Sequence, residues 1–199
     1  MKKTFLHNDL SIFGMLPKIK VHDINTDIYK DENKDSFIEA IKAKSPELSV
    51  LLDDTNNKCE ALFISEQEKA CVLKVSPVIR DAIIKKGKLY VDMQSHKVSD
   101  HFHVQQCYKC QGFGHKSGSD KCPLKEGGNH CLYCGGNHMS KSCPCKKDTS
   151  QHKCINCLNS SNPKIKSNAH GHTASSKQCP LYRKEVENII SRTNFTHVA

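Results

Sequence analysis

The sequence contains no tryptophan, and aromatic residues make up only 6% of its 199 residues, so one large hydrophobic core is not expected. No run of 18 apolar residues occurs, which excludes a transmembrane helix. A signal peptide is also not expected, because polar residues at positions 7–9 interrupt the apolar stretch near the N-terminus. These absences favour one domain of about 100 residues followed by a smaller part.

Cysteine, in contrast, is abundant, and nine of the 12 cysteines belong to a pattern that occurs three times. Each copy has Cys-x-x-Cys, then a histidine, then a cysteine followed by proline. Structural zinc takes four such ligands in a tetrahedron. A disulfide framework would not need the histidines, so we favour three Zn²⁺ ions in a reducing compartment, the cytoplasm and/or the nucleus. The expected ligand sets are Cys107, Cys110, His115 and Cys122; Cys131, Cys134, His138 and Cys143; and Cys154, Cys157, His172 and Cys179.

Two of these ligands have a competitor nearby. Cys145 would give the second set the six-residue final spacing of the first set, although the Cys-Pro repeat favours Cys143. His170 competes with His172, which reproduces that six-residue spacing to the last cysteine. Both alternatives remain open at the level of the sequence.

The ligand sets are local and complete. Each closes within 13 to 26 residues, too few for a hydrophobic core, so the metal must supply the folding free energy. Four protein ligands leave no open metal position, and no other catalytic constellation is apparent, so the chain is not expected to be an enzyme.

A cross-braced RING arrangement, as in a ubiquitin ligase, is the structural alternative to three local metal sites. His130 and His152 precede their sets and are predicted to be exposed.

The first hundred residues predict a small α+β domain. Strand, helix, strand, strand, helix and strand follow one another, which is the βαββαβ order of ferredoxin-like, RRM-like domains. The aromatic residues on which RNA-recognition modules stack bases are missing from the central strands. Phe63 and Tyr90 are interpreted as core residues, with positions at the sheet edge as the alternative. We therefore expect this domain to position the basic half or to mediate self-association. The predicted elements are 18–22, 35–44, 61–65, 70–75, a helix from Pro77 to Gly87, and 89–93.

The cysteine-rich half carries the charge. Residues 101–199 have 14 Lys and Arg against 5 Asp and Glu, so the whole net charge of +9 lies there, and three zinc sites reduce it to about +6. A basic surface with apolar residues beside the metal loops indicates single-stranded nucleic-acid binding, by phosphate contacts and base stacking. The alternative is that the lysines only solubilise the loops and the apolar residues pack on them. The candidate contacts are Tyr108, Lys109, Phe113, Lys116, Lys121, Leu132, Tyr133, Met139, Lys141, Lys146, Lys147 and Ile155.

The chain thus divides into four parts. After Pro180, residues 181–192 can form an amphipathic helix that packs on the third set or binds a partner. The expected parts are an N-terminal segment (1–16), an RRM-like domain (17–103), three zinc knuckles (104–180, with sets at 107–122, 131–143 and 154–179), and a C-terminal helix and tail (181–199).

The run Cys-Tyr-Lys-Cys-Gln-Gly-Phe-Gly-His at 107–115 resembles the first zinc knuckle of Gag-like proteins from jockey-type non-LTR (LINE) retrotransposons. The three tandem knuckles, the ending of the third at 172–180, and the segments 72–77 and 87–91 resemble the same family. The resemblance covers roughly residues 17–195. The chain departs from the family's pattern in its long third loop and in lacking the usual long N-terminal region. Three interpretations of the chain therefore stay open: a fragment, a degenerate copy or a host-retained derivative.

The resemblance implies a protein that packages or chaperones element RNA in a ribonucleoprotein, with zinc on the nine cysteines and three histidines named above. It implies no catalytic residue, no small-molecule substrate and no membrane partner. A protein-interaction adaptor, in which the knuckles contact another protein, is the competing function.

Overall fold

The computed structural model describes residues 14–195, which divide into two units. Residues 14–102 together with 191–195 form the first unit, and residues 103–190 form the second. Within the first unit, main-chain hydrogen bonds join Met15 to Arg192 and Asn194. None of the helices within 14–195 is long and apolar enough to cross a membrane.

The first unit is a mixed α+β unit, as the sequence predicts. Helix α1 (Asp35–Lys44) buries Phe37 and Ile41, four residues apart on one face. Helix α3 (Pro77–Lys86) has proline in its first turn and is ended by Gly87, which has a φ of 69°. The short apolar run 48–52 lies in a further helix, α2 (Pro46–Asp53). The elements are β1 (Lys18–Val21), α1 (Asp35–Lys44), α2 (Pro46–Asp53), β2 (Cys59–Ser65), β3 (Ala70–Val75), α3 (Pro77–Lys86), β4 (Lys88–Val91) and β5 (Gln94–Asp100).

The sheet has five antiparallel strands in the order β2-β3-β1-β5-β4. The sequence predicts four strands and misses β5. The predicted last strand, 89–93, ends early as β4 at Val91, and the chain turns at Asp92 (φ 53°) into β5. β5 is polar except at Val98, which together with His96 faces inward, so its alternation carries little apolar signal.

The core lies between the sheet and the three helices, where Ile19, Leu73 and Ile79 are fully buried. The prediction that Phe63 and Tyr90 belong to this core is wrong, since they are 42% and 45% exposed. A bulge between Ala61 and Phe63 adds one residue to β2 and turns Phe63 to the other face. Tyr90 alternates with buried neighbours on β4 and therefore faces outward.

The face opposite the helices is polar at its centre. Lys20 of β1 bonds Glu68 at 2.6 Å, and Lys74 of β3 bonds Glu60 at 2.5 Å. Neither β1 nor β3 contains an aromatic residue. The two central strands therefore lack the stacking residues of RNA-recognition modules.

The second unit contains the cysteine-rich segments and three helices, α4 (Ile155–Leu158), α5 (Pro163–Ser167) and α6 (Pro180–Arg192), of which the last two residues of α6 belong to the first unit. The predicted C-terminal helix is α6, and its residues Leu181 and Tyr182 pack beside the cysteines of the third set. Main-chain hydrogen bonds tie successive segments together: His130 N to Lys109 O at 2.7 Å, Lys153 N to Tyr133 O at 2.8 Å, and Ala174 N to Leu132 O at 3.1 Å.

Candidate metal centres

The second unit gathers Cys and His side chains into three clusters. In each cluster the four possible ligand atoms lie within 4.8 Å of one another, so the clusters can hold three metal ions. The first cluster is Cys107, Cys110, His115 and Cys122; the second is Cys131, Cys134, His138 and Cys143; the third is Cys154, Cys157, His172 and Cys179.

Tight turns bring the first two cysteines of the first and second clusters together. Cys107 N bonds Gly112 O at 2.8 Å, and Cys131 N bonds Gly136 O at 2.8 Å. The residue after the second cysteine has positive φ in both turns, 63° at Gln111 and 71° at Gly135. The third cluster uses the one-turn helix α4 in place of this turn, and its long loop contains α5.

The distances between ligand atoms fit a tetrahedral ion. Zinc–sulfur bonds of about 2.3 Å and zinc–nitrogen bonds of about 2.0 Å require tetrahedron edges of about 3.8 Å for S···S and about 3.6 Å for S···N. The Sγ atoms of Cys134 and Cys143 are 3.8 Å apart. The Cys157 Sγ–His172 Nε2 distance is 3.6 Å. The other such distances are 3.7 Å for Cys107–Cys122, 3.2 Å for Cys110–His115, 3.6 Å for Cys134–His138, 3.8 Å for Cys154–Cys179 and 3.4 Å for Cys157–Cys179.

The separations are not those of disulfides, which require about 2.0 Å between sulfurs. All twelve cysteines are free.

Two of the histidines are also oriented for a metal. The Nδ1 atom of His115 donates to the Phe113 carbonyl at 3.3 Å, and the Nδ1 atom of His172 donates to the His170 carbonyl at 3.4 Å. This tautomer leaves the Nε2 lone pair directed at the cysteines, as metal-bound histidines require.

Each cluster contains one thiol that ionises readily. Burial raises the pKa of Cys107, but hydrogen bonds from the Cys110 N–H and the Ser117 hydroxyl outweigh it and lower the pKa to about 6. The hydrogen bond from Cys154 lowers the pKa of Cys179 to about 4. Hydrogen bonds from main-chain N–H groups likewise outweigh burial and lower the pKa of Cys131. Burial raises the pKa of Cys110 and Cys157 to about 11 and that of Cys143 to about 12. A bound cation is what would hold the remaining sulfurs as thiolates.

The structure shows which residue of each competing pair lies in its cluster. His172 is 9% exposed and lies in the third cluster, whereas His170 is exposed and outside it. Cys143 lies in the second cluster, whereas the Cys145 thiol donates to Gln151 Oε1 at 3.1 Å.

The prediction that His130 and His152 are exposed is wrong. His152 is buried, with Nε2 3.1 Å from the Cys145 carbonyl and its ring 5.5 Å from that of Tyr133. His130 is half-buried. Both residues sit between clusters that pack on one another, and spacing along the chain carries no signal for that packing.

The residues predicted to contact nucleic acid fall into four groups. Tyr108, Leu132, Met139 and Lys141 line one cavity. Phe113, Tyr133 and Ile155 are half-buried inside the unit, with Phe113 edge-on to Tyr182 at 6.0 Å and Tyr133 against His152. Lys109 is half-buried and bonds the Lys125 carbonyl at 2.9 Å. The remaining four, Lys116, Lys121, Lys146 and Lys147, are exposed, as is Lys141.

Gln106 and Gln111 are important residues that the sequence did not single out. The Gln111 amide donates to the carbonyls of Tyr108 at 2.9 Å and His130 at 3.1 Å, which links the first cluster to the segment before the second. The Gln106 amide donates to the Ala174 carbonyl at 3.0 Å, which links the first cluster to the third. Neither glutamine stands out by type or spacing, so the sequence offered no signal for them.

Comparison with known proteins adds no assignment: no protein-family model, curated protein or solved structure matches the chain.

Proposed function

We propose that the three clusters bind Zn²⁺ and that the second unit thereby binds single-stranded nucleic acid, with RNA as its natural ligand. The observation that carries the proposal is the tetrahedral spacing of the ligand atoms in three clusters. Those clusters lie in the part of the chain that holds the whole net positive charge.

Zinc would act structurally in this unit. Each set offers four ligands and no open position, which is the arrangement of closed, structural zinc sites. Apart from the cysteines, the buried apolar residues around the clusters are few and small, such as Ala169 and Ala174. Metal binding would therefore contribute most of the folding free energy of the unit.

The charge distribution supports binding to a polyanion. Exposed lysines lie within the first two cluster segments and directly after the second, and no acidic residue lies within residues 131–143. Lysines near phosphates release counterions on binding, which gives affinity without dependence on sequence. The residues expected to contribute in this way are Lys116, Lys121, Lys141, Lys146 and Lys147.

We also propose that the first unit is RRM-like and acts as a support, not as an RNA reader. If β4 is regarded as an added edge strand, the remaining order β2-β3-β1-β5 is compatible with a βαββαβ domain. The lack of aromatic residues on β1 and β3 supports the restricted role.

A Gag-like role, packaging or chaperoning retrotransposon RNA in a ribonucleoprotein of the cytoplasm or nucleus, is the biological form of this proposal. It is supported by the residues at 107–115 and by the succession of an α+β unit and three Cys/His clusters. Self-association of the first unit would fit such a particle.

Salt dependence tests the proposed function. Fluorescence anisotropy with a fluorescein-labelled single-stranded RNA should show affinity that falls steeply with salt and disappears in excess chelator. Replacing Lys121, Lys146 and Lys147 by Gln should reduce the log–log salt slope by about 2, at about 0.7 per lost phosphate contact. The same replacement of Lys44, Lys58 and Lys85, exposed lysines of the first unit, is the matched control and should leave the slope unchanged. Full affinity in excess chelator would contradict the proposal.

A further inference from the structure

Gln111 has a backbone conformation that is unusual for its residue type. It directly follows the second cysteine of the first cluster, and its φ is 63°. Gly135 occupies the equivalent place in the second cluster, with a φ of 71°. Glycine adopts such angles without strain, whereas a residue with a Cβ atom does so at a cost in free energy. Strain of this kind persists where surrounding contacts offset it, so the Gln111 side chain is expected to make such contacts.

The Gln111 side chain joins the first cluster to the second. The residue is only 3% exposed, and its amide nitrogen bonds two main-chain carbonyls. These are the carbonyl of Tyr108 at 2.9 Å and that of His130 at 3.1 Å. Tyr108 lies between the first two ligands of the first cluster, and His130 directly precedes the ligand Cys131. One buried amide therefore holds the first turn against the segment that enters the second cluster.

The main-chain carbonyl of Gln111 joins the same turn to the third cluster. It accepts from Asn156 Nδ2 at 2.8 Å and from Gln106 Nε2 at 3.1 Å. Asn156 lies in α4, between the first two ligands of the third cluster. Gln106 Nε2 also donates at 3.0 Å to the carbonyl of Ala174, two residues after the ligand His172. Gln111 is therefore bonded to residues beside the ligands of all three clusters.

These bonds provide a physical route for coupling between the clusters. The turn around Gln111 has few buried apolar neighbours, so its metal ligands are what order it. Once the turn is ordered, His130 and Asn156 bond a partner that is already in place, and the second and third clusters lose less conformational entropy when they form. Ordering of those clusters favours the first in the same way, because coupling between sites is reciprocal.

We propose that Gln111 couples the three metal sites, so that the second unit takes up its Zn²⁺ ions cooperatively. Gln111 is a positioning residue in this role, since it acts through the segments that carry the ligands. The inference rests on the zinc binding of the proposed function and adds regulation to it: the form that binds nucleic acid is populated over a narrow range of free zinc. Coupling between sites is typically about 5- to 150-fold in affinity. Coupling of that size weakens the remaining sites when one is lost, but does not empty them.

The distribution of zinc among copies of the chain gives the first test. The whole chain, freed of metal under reducing conditions, is titrated with Zn²⁺ and followed by native mass spectrometry. At half saturation we expect chains with three ions and chains with none to predominate. Sites that bind independently would instead give mostly chains with one or two ions.

Loss of one site gives the second test, which separates coupling from local stabilisation of the first cluster. His115→Ala removes a ligand of that cluster. We expect the zinc affinity of the two remaining sites to fall about fivefold or more, measured by competition with a chromophoric chelator. Labelling of zinc-free thiols with N-ethylmaleimide, followed by peptide mapping, shows which cluster has lost its ion.

Two further variants remove the coupling bonds themselves. Gln111→Gly accepts the φ of 63° but lacks the amide, so in this background His115→Ala should no longer weaken the second site. Asn156→Ala removes a donor to the Gln111 carbonyl and should reduce the weakening of the third site. The matched controls are Gln178→Gly and Asn159→Ala, which remove exposed side chains of the same types and should leave both effects in place.

Three results would overturn the coupling. One is unchanged affinity of the second and third sites in His115→Ala, and another is a weakening that is the same with and without the Gln111 amide. The third is a majority of one-ion and two-ion chains in the unaltered protein, which decides the question even where a variant fails to fold. A chain that takes up no zinc, or a zinc-loaded chain that does not bind single-stranded RNA, would instead overturn the proposed function.

Discussion

His170 and His172 lie two residues apart, and only His172 is in the third cluster. His172→Ala should therefore reduce the zinc content of the protein from three ions to two, because a cluster of three thiols lacks the fourth ligand. His170→Ala, which removes an exposed histidine from the same loop, is the control and should retain three. The measurement is zinc per protein by inductively coupled plasma mass spectrometry. Loss of an ion in His170→Ala with retention in His172→Ala would show that the ligand is misassigned.

Other residues of the second unit show what the sequence could and could not predict. Spacing predicts the residues that gather in the clusters because each set closes over a short stretch of chain. The positions of His130, His152 and Gln111 depend on packing between clusters, which no local pattern encodes. Phe113 illustrates the same limit, since its contact is with Tyr182 of α6.

At the level of elements, the helices of the first unit were predictable because their ends carry local signals. Proline in the first turn begins α3 and Gly87 ends it. β5 carries no such signal, and it is held in part by tertiary contacts. Arg80 of α3 bonds both carboxylate oxygens of Asp100, at 2.8 Å and 2.6 Å, and this pair joins α3 to β5.

This ion pair gives a prediction for the first unit. Arg80→Met should lower the free energy of unfolding by about 2 kcal/mol, since a charged, two-pronged hydrogen bond is lost and the Asp100 carboxylate is left without its partner. Lys86→Met, which removes the more exposed pair with Glu47, is the control and should cost much less. Urea unfolding followed by circular dichroism measures both. Equal losses in the two variants would contradict the role given to Arg80.

On the scale of the whole molecule, the three clusters behave as parts of one unit and not as separate knuckles. Hydrogen bonds from Gln106 and Gln111 and between main-chain segments cross from one cluster to the next. The first unit has its own apolar core of helices and strands and contains none of the clusters. Removal of metal should therefore unfold the second unit and leave the first folded.

Native mass spectrometry of the full chain, with and without a single-stranded RNA and with and without chelator, tests the central claim most directly. We predict three zinc ions per chain, a one-to-one complex with RNA only in the zinc-loaded form, and after chelation a shift to higher charge states with loss of RNA. Fewer than three zinc ions in the intact protein, or a complex with RNA that survives complete removal of zinc, would contradict the account.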